Sequence, residues 1–188
     1  LAVEYARRYF HICPDRFIIK LPFTPAGLLA TRKLSDEGIP VNHTLGFSAR
    51  QNYIIARIAK PQFVNVFLGR LNSVVADNDL GDGSYIGEKA TLASQRAVQQ
   101  LQENELTPAR QIGASLRNGD QVFDLAGLDV MTMPVKVAEQ AVIRGRQGDE
   151  VTNCRSENYD PGVRDKDTIS RFRVDTLWDV TDTLIDCV

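Results

Sequence analysis

The chain has 188 residues and ample apolar content for one core, so one domain, alone or with an appendage, is expected. Its 22 basic and 24 acidic residues nearly cancel to a net charge of −2, and no basic run or basic–aromatic stripe offers a nucleic-acid footprint. Cys13, Cys154 and Cys187 are widely spaced, with no CxxC pair and only two histidines, which argues against a disulfide framework or a zinc site; with no apolar stretch of membrane-spanning length and no signal peptide, a soluble cytoplasmic protein is expected.

Residues 1–13 carry Leu1, Tyr5, Tyr9 and Ile12 at helical spacing before Pro14, which predicts an amphipathic helix. The chain starts inside that pattern and at Leu1, so a trimmed N-terminus or a longer polypeptide is expected. FIIKLPFTP, residues 17–25, reads as a buried strand with Lys20 at its end, followed by Thr24 as N-cap and Pro25 as the first helical residue. A lone lysine at a strand end ordinarily escapes to solvent. A desolvated one has a lowered pKa and is nucleophilic, as Schiff-base enzymes require.

The helix from Pro25 runs to about Glu37 with Leu28, Leu29 and Leu34 as apolar positions, and Gly38 stops it. A second strand covers 39–47, and Ser48 caps a helix with Ile54, Ile55 and Ile58 on one face before Pro61. A third strand covers 62–69. Residues 70–87 form a Gly/Asp/Asn-rich loop longer than most connections. A helix over 88–103 with Ala90, Ala93, Ala97 and Leu101 in a stripe, a fourth strand over 111–116, a short helix over 118–125, a fifth strand over 128–133 and a helix to about Ile143 complete the pattern. Residues 144–167 read as a linker or exposed loop, and 168–188 as a C-terminal helix with Ile169, Phe172, Leu177, Val180 and Leu184 along one face.

Short apolar strands alternating with helices mark an α/β fold with a parallel sheet. No G-x-G-x-x-G or Walker loop follows any strand, which favours a barrel over an open nucleotide-binding sheet. The expectation is a partial (β/α)8 TIM barrel over 1–143. Strand alternation puts Lys20 with Ile18; Asn42 with Thr44 and Gly46; Asn65 with Phe63 and Phe67; and Ser115 with Gly113 and Arg117. One face thus gathers an amine, two amides, two hydroxyls and a guanidinium, whereas the other is almost wholly apolar, with His43 on the helix side. Arg70 and Arg117, with Ser115 and a helix N-terminus near Asn118, suit a phosphate dianion.

IIKLPFTPAGLLATRKLSDEGIPVNHTLGFS, then NVFLGRL, IGASLRN and VMTMPVKV, in order over 16 to about 143, closely resemble the transaldolase family of class I aldolases. The resemblance implies that the five strands are barrel strands 4 to 8. It implies Lys20 as the Schiff-base lysine, Asn42 and Thr44 as the residues that bind substrate hydroxyls and hold the catalytic water, and Arg70, Ser115 and Arg117 as the phosphate set. Asn65 and Phe67 join Asn42 as the implied substrate-binding residues: Phe67 matches the phenylalanine of true transaldolases, where fructose 6-phosphate aldolases tend to carry tyrosine, and Asn65 stands where serine is usual. Lys136 also matches a family lysine and is taken as structural.

The implied activity is transfer of a three-carbon dihydroxyacetone unit between sugar phosphates in the pentose phosphate pathway, with no cofactor or metal. The acidic residue of the family's first strand and the glutamate of its third have no counterpart here, so weak activity alone, and an open sheet edge that self-associates or takes a missing N-terminal segment, are expected. A non-catalytic sugar-phosphate-binding remnant and a fructose 6-phosphate aldolase-like lyase are the alternatives.

Overall fold

Parallel strands need crossovers of a dozen residues or more, and helices between this chain's apolar runs supply them. The computed structural model describes residues 1–145, 151 and 153. It contains β1 (Ile19–Pro22), β2 (Val41–Gly46), β3 (Phe63–Phe67), β4 (Arg110–Ala114) and β5 (Val130–Thr132), all parallel, in the spatial order β1-β2-β3-β4-β5. Around them run α1 (Ala2–Ile12), α2 (Pro25–Asp36), α3 (Ala49–Ala59), α4 (Leu68–Asp77), α5 (Ile86–Glu103), α6 (Asp120–Asp124) and α7 (Val135–Arg144). The strand order has no reversal of the doubly wound kind and is consistent with part of a (β/α) barrel. β1 and β5 are its two ends.

Local chemistry fixes the helix starts. The Thr24 hydroxyl accepts the Gly27 N–H at 2.9 Å with Pro25 as first residue, and the Ser48 hydroxyl accepts the Gln51 N–H at 3.2 Å. Three apolar clusters then join helices to sheet. Ile55, Ala56, Val64 and Val98 knit α3, β3 and α5; Leu21, Leu34 and Val41 join β1 and β2 to α2; Leu68, Leu116 and Leu125 sit under α4 and the loop after β4. Burying each such Leu, Ile or Val contributes roughly 1.5–3 kcal/mol.

Four expectations need correcting. The stripe of Leu1, Tyr5, Tyr9 and Ile12 is exposed, and α1 packs instead through Ala6, Val3 and Phe10 onto the cluster of Leu21 and Leu34. Leu29, predicted to pack, is 60% exposed. Residues 70–77 are not loop: Leu68, Leu71 and Val75 lie buried on one side of α4, and the true connection is 78–85. The strands are also shorter than predicted, β4 ending at Ala114 before Ser115 at φ 68°, and β2 is irregular within its length: Leu45, at φ 71°, lies where the register with β3 shifts, and its side chain is exposed. The predicted linker and C-terminal helix over 144–188 lie, save for 144, 145, 151 and 153, outside the described residues.

Candidate functional site

In a parallel sheet the loops at the carboxyl ends of the strands hold the chemistry, and there the predicted residues meet in two connected groups. The first is a polar rail across β2 and β3. Thr44 Oγ1 donates to Asn65 Oδ1 at 3.2 Å, and Asn65 Nδ2 donates to Asn42 Oδ1 at 2.9 Å. Thr44 and Asn65 are buried and Asn42 is half-buried, so one amide ties together three predicted substrate contacts. Register places Lys20 of β1 directly beside Asn42. Gly46 makes room behind the rail: a Cβ there would collide with Asn52.

The second group surrounds Phe67. The Lys20 ammonium lies 5.7 Å and the Arg70 guanidinium 5.4 Å from the centre of its ring, and Phe47 packs against it at 6.1 Å. Both cations are within the range at which the electron-rich face of an aromatic ring attracts charge. Arg70 is not a loop residue, as predicted, but the third residue of α4, so it belongs to a first helical turn, the positive end of the helix dipole. Ser115 and Arg117 follow β4. A Cβ on Gly69 would collide with the Ser115 carbonyl and come within 2.7 Å of Arg117 Nε, so the glycine lets the Arg117 side chain cross the start of α4 beside Arg70. Asn118 Oδ1 accepts the Gln121 N–H at 3.1 Å just ahead of α6.

Lys20 is the second residue of a four-residue strand, not its end, and it is exposed because β1 is the outermost strand of the sheet. The buried strand predicted over 17–25 is therefore largely open to solvent, with Phe17 and Ile18 exposed as well, and does not enclose the amine. A groove of about 400 Å³ runs along its open side, lined by Tyr5, Tyr9, Ile18 and Lys20 among others. Sheet order puts β2 and β3 between Lys20 and the strand that leads to Arg117. Lys136 is exposed on the first turn of α7.

His43 lies on the helix side, as alternation predicts. It is 2% exposed, shares a 2.8 Å hydrogen bond between Nδ1 and Thr31 Oγ1, and meets Phe23 edge-on. Burial pushes its pKa down to about 4, so the ring is neutral at pH 7. Among the described residues no group of three or more His, Cys, Asp or Glu side chains could hold a metal.

Sequence patterning missed a set of buried polar side chains beneath the site. Asn52 donates to Ser94 Oγ at 2.8 Å, Ser94 donates to Gln111 Oε1 at 2.5 Å, and Glu88, Asn72 and Gln121 form a second set. A signal was available in the polar residues Glu88, Thr91, Ser94 and Gln95, which interrupt the alanine stripe of α5 at helical spacing and are all buried.

A family model described as Transaldolase/Fructose-6-phosphate aldolase matches residues 2–177. A probable transaldolase of Thermus thermophilus is 38% identical over 140 residues, 73% of this chain and 56% of the relative. One of Listeria monocytogenes, a probable transaldolase 1, is 38% identical over 125 residues (65% and 52%), and one of Aquifex aeolicus is 34% identical over 128 (67% and 52%). The chain thus spans about half the length of these curated relatives. By the extent of the family match and these identities, the chain belongs to the transaldolase/fructose-6-phosphate aldolase family.

Proposed function

We propose that this chain carries the lysine and phosphate sites of a transaldolase, its strands corresponding to strands 4 to 8 of an eight-stranded barrel. The observation that supports this best is the placing of the Lys20 amine and the Arg70 guanidinium around one ring, Phe67, beside the Thr44–Asn65–Asn42 rail. A ketose phosphate would put its phosphate near Arg70, Ser115 and Arg117 and its carbonyl near Lys20. The neutral amine of Lys20 adds to the C2 carbonyl, and loss of water leaves an iminium. The C4 hydroxyl then gives up its proton, the C3–C4 bond breaks, its electron pair flows into the iminium as an enamine, and an aldose phosphate departs. Addition of the enamine to the aldehyde of a second aldose phosphate and hydrolysis of the new imine return free Lys20. Thr44 and Asn42 would hold the water that enters and leaves.

Proton transfer in this scheme falls to carboxylates outside residues 1–145. General acid–base help is worth on the order of 10²- to 10⁴-fold, so slow turnover by the isolated chain is part of the proposal. Its setting would be cytoplasmic carbohydrate metabolism, in the pentose phosphate pathway, without a cofactor. The exposure of Lys20 favours a second reading, a sugar-phosphate binder without chemistry. Product analysis separates the two: fructose 6-phosphate with an aldose phosphate acceptor should give a new ketose phosphate only when both are present. Binding of fructose 6-phosphate with no product and no trapped imine would support the second reading, and acceptor-independent release of dihydroxyacetone would indicate a lyase.

A further inference from the structure

Glu88, the third residue of α5, is 5% exposed, and its hydrogen-bond partners, Asn72 and Gln121, are not among the residues assigned above to substrate. A buried carboxylate is costly unless its oxygens are hydrogen-bonded, and both are. Oε2 accepts from Asn72 Nδ2 at 2.9 Å and Oε1 from Gln121 Nε2 at 2.6 Å. The other end of each amide is also fixed. Asn72 Oδ1 accepts the Gly87 N–H at 2.6 Å, while Gln121 Oε1 accepts the backbone N–H of Arg117 at 2.6 Å and of Asn118 at 3.3 Å.

One continuous set of bonds therefore runs from α4, whose first turn bears Arg70, through Asn72, Glu88 and Gln121 to the backbone of Arg117. The chemistry at position 88 is dictated by its neighbours. Because both amide oxygens face backbone N–H groups, both NH2 groups face Glu88, and only a side chain that accepts with both terminal atoms satisfies them. Close packing makes this join stiff: a Cβ at Gly87 would collide with the Leu68 carbonyl, just as one at Gly69 would collide with that of Ser115.

We propose that Glu88 is a positioning residue for phosphate recognition: through Asn72 and Gln121 it sets the spacing between Arg70 on α4 and Arg117 on the loop after β4. This rests on the proposed function, because it requires those arginines to share one phosphate. The carboxylate acts from behind the loop, by orienting amides, and contributes no ligand of its own.

The 188-residue chain and three variants, E88Q, Q121E and the exchange E88Q/Q121E, test it by titration with inorganic phosphate and with fructose 6-phosphate, and by borohydride trapping of unphosphorylated dihydroxyacetone. In E88Q one NH2 group faces another, and the loss of one hydrogen bond to a charged acceptor should weaken both phosphate-bearing probes about tenfold, with a smaller effect on trapping. The exchange re-forms every bond with the roles reversed, and should recover affinity to within about threefold of the native chain. Undiminished phosphate affinity in a folded E88Q, an equal loss for phosphate and dihydroxyacetone, or an exchange no better than E88Q would overturn the proposal. If E88Q does not fold, the exchange and Q121E make the same comparison, with Q121E the weaker because it sets two carboxylates together. Failure of the native chain to bind either phosphate probe would overturn the shared-phosphate reading and this proposal with it; native binding with no response to E88Q removes the positioning role alone.

Discussion

Asn65→Ala removes the middle of the polar rail, and its cost can be worked from the bonds it breaks. The variant loses the 3.2 Å bond from Thr44 and the 2.9 Å bond to Asn42. Asn42 is half-buried and can turn to water, but Thr44 is 8% exposed, and its hydroxyl loses its acceptor in the interior. Two net hydrogen bonds at about 1 kcal/mol each, with about 1 kcal/mol more for the stranded hydroxyl, give a loss of about 3 kcal/mol. For a chain of this size that lowers Tm by roughly 6–12 °C. Urea unfolding of the native chain, Asn65→Ala, Thr44→Val and the double variant reads the loss and its coupling together, and the coupling should be about 1 kcal/mol or more. Asn65→Ser, the substitution toward the residue usual in the family, is too short to reach both partners and should lose about half as much. A loss below about 0.5 kcal/mol for Asn65→Ala, or strict additivity in the cycle, would refute the account of the rail.

Two further outcomes follow from the same geometry. His43 has a folded pKa of about 4 against an ordinary value near 6.5, so below pH 6.5 the unfolded chain takes up a proton that the folded chain refuses; stability is lost as pH falls from 6.5 to 4, by roughly 3 kcal/mol in all. His43→Gln should flatten that part of the unfolding profile, and parallel profiles would contradict the burial argument. The exposed side chains of Tyr5, Tyr9 and Ile18 border the open edge of β1, so self-association at micromolar concentration is expected, with light scattering giving more than one chain's mass and Ile18→Lys shifting it downward. A single-chain mass for the unsubstituted protein would count against it.

The element order was legible because capping and breaking residues act locally: Thr24, Pro25, Ser48 and Pro61 mark helix limits that the structure keeps. α4 was hidden because the glycines and aspartates of 78–85 lent their character to the turn before them, although Leu68, Leu71 and Val75 already had helical spacing. α1 misled in the opposite way. Its apolar stripe is amphipathic in pattern, yet a pattern cannot say which side meets the sheet, and Ala6 rather than Tyr5 and Tyr9 is buried.

At the site, alternation placed Asn42, Thr44 and Asn65 together because side-chain direction in a strand has a period of two. It failed at Leu45 and Ser115, where positive φ ends the alternation, a backbone feature that neither residue type announces. Glu88 was missed for a different reason. Its role depends on Asn72 and Gln121, sixteen and thirty-three residues away, and such contacts appear only when the chain is folded.

The central claim is that Lys20 captures a carbonyl. Incubating the chain with fructose 6-phosphate under borohydride, followed by peptide mass spectrometry, reads this at residue resolution. The expected result is a reduced adduct on the peptide containing FIIKLPFTP, at Lys20, and its disappearance in Lys20→Met. An adduct on Lys136 or any other lysine, or an undiminished label in Lys20→Met, would contradict the assignment.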